Sequence, residues 1–135
     1  MREFGVDAMK VFVVMSHTLI DEQMEELESH FDPAAIVYLP DKLKEQWKNI
    51  PANGPWQEEW IIDILNWLEK HGKDGDIAIV QGEYGATFFL VNWLKQRGIT
   101  PYYATTERRA IEKKNDDGSV EIQRVFRHVN FRAYP

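Results

Sequence analysis

Three stretches of this chain carry side chains of the kinds that handle phosphates, hydroxyls and protons. Ser16-His17-Thr18 places an imidazole between two hydroxyls, and histidine is the side chain whose ordinary pKa suits proton transfer near neutrality. Gln81 to Thr87 reads QGEYGAT. There Gly82 and Gly85 punctuate a turn, Glu83 offers a carboxylate and Tyr84 a ring that can stack on a base, with Gln81, Ala86 and Thr87 completing the stretch. Thr105, Thr106, Arg108 and Arg109 combine two hydroxyls with two guanidinium groups, and guanidinium matches phosphate oxygens bidentately. There is no HExxH and no cysteine, so a metal site is not expected.

Each stretch also has a plainer reading. Gly82 and Gly85 are not spaced as GxGxxG and lack the Lys-Ser/Thr of a P-loop, so neither dinucleotide binding nor NTP hydrolysis is supported; two glycines can simply allow a tight corner. His17 serves either as acid and base or as a residue ordering its own loop. A nucleophilic Ser16 would need a base and an orienting acid that the sequence does not place, whereas a Ser16 that donates to phosphate needs neither. An alternating charged hairpin such as the one carrying Arg124, Arg127, His128 and Arg132 is more often a solvated face.

The elements that must position these groups follow from the apolar pattern. Lys10–Met15 is a β-branched run suited to a strand buried on both faces. Thr18 and Asp21 form a capping pair for a helix whose stripe is Ile20, Met24, Leu27 and Phe31. Residues 35–39 give a second strand, and a short helix after Pro40 presents Leu43, Trp47 and Ile50. Residues 56–70 give the longest helix. Ile77–Val80 is a strand running into the glycine turn. The helix from about Ala86 is apolar nearly all round, which predicts burial on two sides. Pro101–Ala104 is a strand closing in Thr105-Thr106. Residues 108–114 and 120–133 pair as a hairpin about Asp117-Gly118, a type I′ turn, with a bulge or bend near Gln123–Arg124.

This order predicts an α/β protein: a Rossmann-like parallel sheet flanked by helices, followed by a C-terminal antiparallel β-hairpin over about 107–135. Residues 1–9 read as an N-terminal extension and 10–135 as a single domain. In such sheets ligands bind beyond the carboxyl ends of the strands, so the three stretches are expected to converge there as loops.

The chain has 135 residues and is 44% hydrophobic, which is enough for one core. Its net charge is −6, which argues against coating long nucleic acid. Residues 1–96 hold 17 Asp and Glu against 8 Lys and Arg, whereas residues 97–135 hold 8 Lys and Arg against 5 Asp and Glu. A local arginine cluster can therefore still hold a small anion. Without cysteines, a signal peptide's apolar region or a membrane-length apolar run, a cytoplasmic location is expected and a membrane partner is not.

FVVMSHTL (12–19), VYLP (37–40), QGEYGATFFLVN (81–92), PYYATTERR (101–109) and VFRHVNFR (125–132) together resemble a small family of CRISPR-associated proteins of type III systems. These are relatives of the CARF sensor domains. The resemblance implies a ring nuclease, a homodimer that binds cyclic tetra-adenylate across its two-fold axis and cuts it without a metal or cofactor. A ribose 2′-OH would attack its own 3′-phosphate, leaving linear products with a 2′,3′-cyclic phosphate. Carried over by position, Ser16, Thr18, Gln81, Gly82, Glu83, Tyr84, Gly85, Ala86, Thr87, Thr105 and Thr106 would bind the ring. His17, Arg108 and Arg109 would be catalytic. Two other readings remain: a sponge that binds cyclic oligoadenylate without cutting it, and a Rossmann-like sensor of another nucleotide.

Overall fold

The computed structural model describes residues 8–135; the expected N-terminal extension lies, through residue 7, outside the described residues. Five strands form one sheet in the order β2-β1-β3-β4-β5. These are β1 (Lys10–Val14), β2 (Ala35–Tyr38), β3 (Ile77–Val80), β4 (Thr100–Lys114) and β5 (Val120–Ala133). The first four run parallel and β5 returns antiparallel to β4. The expected Rossmann-like sheet with a C-terminal hairpin is present.

Strand alternation explains the layers. Phe12 and Val14 of β1 and Ala78 and Val80 of β3 point to one side. They meet Trp47 of helix α2 (Asp41–Lys48), Ile64, Leu65 and Leu68 of α3 (Ile62–His71), and Leu90 and Leu94 of α4 (Tyr84–Lys95). Val11, Val13, Ile77 and Ile79 point to the other side and meet Leu27 of α1 (Asp21–Phe31). The chain steps one way across the sheet from β1 to β2 and the other way from β3 to β4. Right-handed crossovers then put α1 on one face and α4 on the opposite face, as observed. At the amino edge, the buried carboxylate of Asp76 accepts from Lys10 N–H at 2.9 Å and Lys73 N–H at 2.8 Å, with Lys10 Nζ at 3.3 Å. That ties the start of β1 to the start of β3.

Several local expectations are corrected. Helix α1 begins at Asp21 with Ile20 as its N-cap, and Gln23 Oε1 accepts from Ile20 N–H at 3.0 Å; Thr18 stays outside it. The long helix expected over 56–70 is a 3₁₀ turn, Glu58–Ile61, leading into α3. Helix α4 starts two residues earlier than Ala86 and is buried on one side only: Ala86, Leu90, Val91 and Leu94 face the core, whereas Phe88 is 74% exposed.

The hairpin turn has Gly118 N–H donating to Asn115 O at 3.0 Å and Asn115 N–H donating to Ser119 O at 2.9 Å. Gly118 has φ +86° and Asp117 keeps a negative φ. This is a type I turn followed by a left-handed glycine, because a type I′ turn would need two positive φ values. The bulge sits far from Gln123–Arg124. Thr105 pairs with Asn130 and Thr106 with His128, so Val129 is the extra residue. The extra residue puts His128 and Phe131 on the same face as α1, where both meet Glu26.

Candidate functional site at the carboxyl edge

From β1 the chain leaves toward β2, and from β3 it leaves toward β4, so the carboxyl ends of these two adjacent strands open a crevice at the topological switch point. Ser16, His17 and Thr18 follow β1, and Gln81, Gly82 and Glu83 follow β3. Both predicted loops therefore flank the crevice as expected. A cavity of about 280 Å³ lies there, lined by Ser16, Trp47, Lys48, Ile50, Gly82 and Glu83. A larger hollow of about 510 Å³ lies on the other side of the Gln81 turn, against α4, with Tyr84, Thr87, Phe88, Tyr103 and Tyr134 on its walls.

The turn between the two hollows is held by hydrogen bonds to both the main chain and the side chain of Gln81. Gln81 N–H donates to Val14 O at 3.1 Å, its carbonyl accepts from Trp47 Nε1 at 2.8 Å, and its Oε1 accepts from Ala104 N–H at 3.1 Å. Gln81 thus staples β1, β4 and α2 together around the end of β3. Gly82 is held against the Trp47 indole: a Cβ there would lie 2.5 Å from Nε1 and 2.7 Å from Cε2. Trp47 is 2% exposed and has no room to retreat, so this glycine serves close packing.

Glu83 caps α4, its Oε1 accepting from Ala86 N–H at 2.8 Å. A carboxylate already answers one of the free donors and the positive end of the helix dipole. The α4 N-terminus therefore does not stand open as an anion cradle, and a phosphate reaching it would meet the Glu83 charge. The side chain of Ala86 is fully buried in the core, which leaves it no ligand contact. Gly85 lies on the first turn of α4, with Trp56 Cε3 3.5 Å from where its Cβ would be. Tyr84 is 94% exposed and stands one helical turn from Phe88, so the two rings form an open apolar rim on the larger hollow. Thr87 lines that hollow, and its buried Oγ1 has no hydrogen-bond partner.

His17 is exposed, with Nδ1 3.3 Å from Thr18 O. When the ring proton sits on Nδ1 it donates to that carbonyl and leaves Nε2 as the base. Ser16 and Thr18 are exposed beside it.

The third stretch is not a loop. Thr105, Thr106, Arg108 and Arg109 lie within the unbroken strand β4. Thr105 Oγ1 donates to Asn130 at the bulge. Tyr102 pairs with Ile79, so Tyr103 stands level with the end of β3 and Arg108 lies roughly 17 Å further along at about 3.4 Å per residue. Arg108 packs over the Phe126 ring at 5.2 Å, and Arg109 pairs with Glu107 at 3.0 Å on the opposite face of the hairpin. The structure brings the first two stretches together and carries these arginines away from them.

Three residues that the sequence reading passed over line the hollows. Lys48, in the last turn of α2, is the one Lys or Arg among the described residues lining either of them. Trp47 and Ile50 belong to an apolar stripe, and Lys48 could have been placed from its position beside them. Tyr103 and Tyr134 pack ring to ring at 4.8 Å, and Tyr134 Oη donates to Val80 O at 2.6 Å. Burial pushes the Tyr134 phenol above its ordinary pKa, with Tyr103 adding to the rise. No periodic signal marks a tyrosine one residue from the C-terminus. Among the described residues no group of three or more His, Asp or Glu is arranged to hold a metal ion, and no helix is long and apolar enough to cross a membrane.

Sheet order and site together define a Rossmann-like α/β protein with paired hollows at its switch point. Residues 9–132 match the model of the family described as "Uncharacterized protein MJ1673 family", and the chain belongs to that family. It is 35% identical over 125 residues to the uncharacterized protein MJ1673 of Methanocaldococcus jannaschii, covering 93% of this chain and 96% of that one. It is also 29% identical over 112 residues to a kojibiose hydrolase of Flavobacterium johnsoniae, a match that takes in 82% of this chain and 16% of that enzyme. No solved structure matches.

Proposed function

We propose that the protein is a ring nuclease of the type III CRISPR kind, binding cyclic tetra-adenylate at the carboxyl edge of a homodimer and cutting it. The observation that carries this is the pairing of two hollows across one turn. One hollow is apolar and rimmed by Tyr84 and Phe88, with Tyr103 and Tyr134 in its wall, which suits an adenine base. The other holds Ser16 and Lys48 beside the exposed His17, which suits a ribose phosphate. A ring of four identical nucleotides has a two-fold axis, so a two-fold dimer offers each hollow twice to equivalent groups.

In the reaction the 2′-oxygen bonds to the phosphorus of its own 3′-phosphate, and the bond from phosphorus to the neighbouring 5′-oxygen breaks. His17 Nε2 takes the 2′-OH proton, and the 5′-oxygen leaves protonated by the imidazolium or water. The Lys48 ammonium and the Ser16 hydroxyl stabilise the charge gathering on the phosphoryl oxygens. In this scheme Lys48 takes the part that the resemblance assigned to Arg108 and Arg109.

A second reading has a specific observation behind it. With Glu83 on the α4 N-terminus and a single lysine near the crevice, charge stabilisation is modest, which favours a sponge that binds the ring and leaves it whole. Incubating the protein with cyclic tetra-adenylate in excess EDTA and separating the products decides between them. Linear oligoadenylates ending in 2′,3′-cyclic phosphate are expected; tight binding with the ring intact after many hours would leave the sponge.

A further inference from the structure

The β4–β5 hairpin extends well past the body. Its last anchor is the Glu26–His128 pair, 2.7 Å between Oε1 and Nε2, with Glu26 Oε2 accepting from Phe131 N–H at 2.7 Å. Beyond Thr106 and His128 the two strands continue to Lys114 and Val120 as an exposed ribbon. Its apolar side chains are unusually bare: Val120 is 53% exposed, Ile122 65% and Phe126 67%.

Register sorts these residues. Arg108 opposes Phe126, Ala110 opposes Arg124, Glu112 opposes Ile122 and Lys114 opposes Val120, so all eight side chains share one face. It is the face that His128 presents to α1. It carries an apolar row, three cations and one carboxylate. Helix α1 has the reverse character. From Asp21 to Asp32 it holds Asp21, Glu22, Glu25, Glu26, Glu28 and Asp32 with no Lys or Arg, and all of these except Glu26 are exposed. Ile20, at its N-cap, is 48% exposed.

We infer that the hairpin is an arm that docks on helix α1 of a second copy of this chain, each copy clasping the other. A two-fold axis parallel to the sheet and across its strands sets one copy's α1 over the other's arm. It does the same in reverse, giving an isologous contact in which each surface is used twice. Arg108, Arg124 and Lys114 then face the carboxylates of the partner's α1, while Phe126, Ile122 and Val120 cover the helix beside Ile20. The size suffices. A two-stranded ribbon face is about 10 Å wide and the free arm about 30 Å long, so each docked arm covers roughly 300 Å². Two arms and the two helices beneath them bury on the order of 1,200 Å², which reaches the range of stable dimers.

The arm is independent of the proposed function: it joins the α1 faces, both hollows lie on the α2 and α4 side of the sheet, and its test contains no nucleotide. Sedimentation velocity of the full chain is expected to give a dimer that weakens with salt. Ile122→Asp with Phe126→Asp, both at exposed positions, is expected to raise the dimer dissociation constant roughly 100-fold or more with unchanged circular dichroism. Arg108→Glu with Arg124→Glu should likewise give monomer, and adding Glu22→Arg with Glu25→Arg to that variant should restore the dimer. A monomeric wild type, a dimer that survives the arm substitutions, or reversed charges that fail to rescue would overturn the arm. A dimer formed this way by a protein that does not cleave the ring would sink only the nuclease reading.

Discussion

Gly82→Ala separates packing from ligand binding at the centre of the site. The added methyl would sit 2.5–2.8 Å from three atoms of the Trp47 indole. Trp47 is wedged between the sheet and α3 and is 2% exposed, so the clash is relieved only by displacing the indole or the turn. Overpacking of this kind costs about 1–3 kcal/mol, and losing the bond from Trp47 Nε1 to Gln81 O adds roughly 1 kcal/mol. The expected loss is about 2–4 kcal/mol without any ligand, measured as a lower urea midpoint at unchanged slope, or a Tm lowered by roughly 10 °C. In a Trp47→Leu background all three of those indole atoms are absent, so the same Gly82→Ala change should cost at least ~1 kcal/mol less, a non-additive pair. A wild-type-like midpoint for Gly82→Ala, or strict additivity with Trp47→Leu, would refute the packing account of this glycine.

Other outcomes follow from the same contacts. Glu26→Ala strips the partner from His128 Nε2 and from Phe131 N–H. It should destabilise by about 2–4 kcal/mol in chemical denaturation, and Glu26→Gln by clearly less. Tyr134→Phe removes the bond to Val80 O and should cost about 1 kcal/mol. Because the folded-state pKa of Tyr134 is raised, its contribution is complete below the unfolded phenol pKa and is lost as pH climbs through the folded value. Tm of the wild type should therefore fall more steeply than that of Tyr134→Phe in alkali above about pH 10. In cleavage assays, His17→Ala should lower the rate about 100-fold or more with ring binding largely kept, and Lys48→Ala should lower the rate, whereas Arg109→Ala, paired with Glu107 on the other face of the hairpin, should change it little.

Much of the fold was legible because its signals are local. The β-branched run Val11–Val14 and the strand Ile77–Val80 are buried on both faces and could be read directly, as could the helix stripes and the hairpin about Gly118. The hidden features depend on tertiary partners. The bulge at Val129 exists because Glu26 of α1 draws both His128 and Phe131 to one face, a contact across about a hundred residues of chain. Thr105-Thr106 looked like a strand end because hydroxyls and charges follow, yet β5 pairs with β4 along its whole length and keeps it extended. Of the site, the two loops after β1 and β3 were found from the carboxyl-edge rule. The capped state of α4 was missed, since Glu83 protruding to a ligand and Glu83 folded back on Ala86 N–H are the same sequence. Gly82 looked like a turn residue and proved to be the seat of Trp47, an indole from a helix 35 residues earlier.

The central claim is that paired hollows at one two-fold carboxyl edge hold a cyclic tetra-adenylate. Calorimetric titration of the wild-type protein with that ring, in EDTA and at low temperature to slow turnover, tests it most directly. One ring bound per two chains, with Tyr84→Ala and Phe88→Ala each weakening binding by about tenfold or more, is the predicted result. No heat of binding, or one ring per single chain with both aromatic variants unaffected, would contradict it.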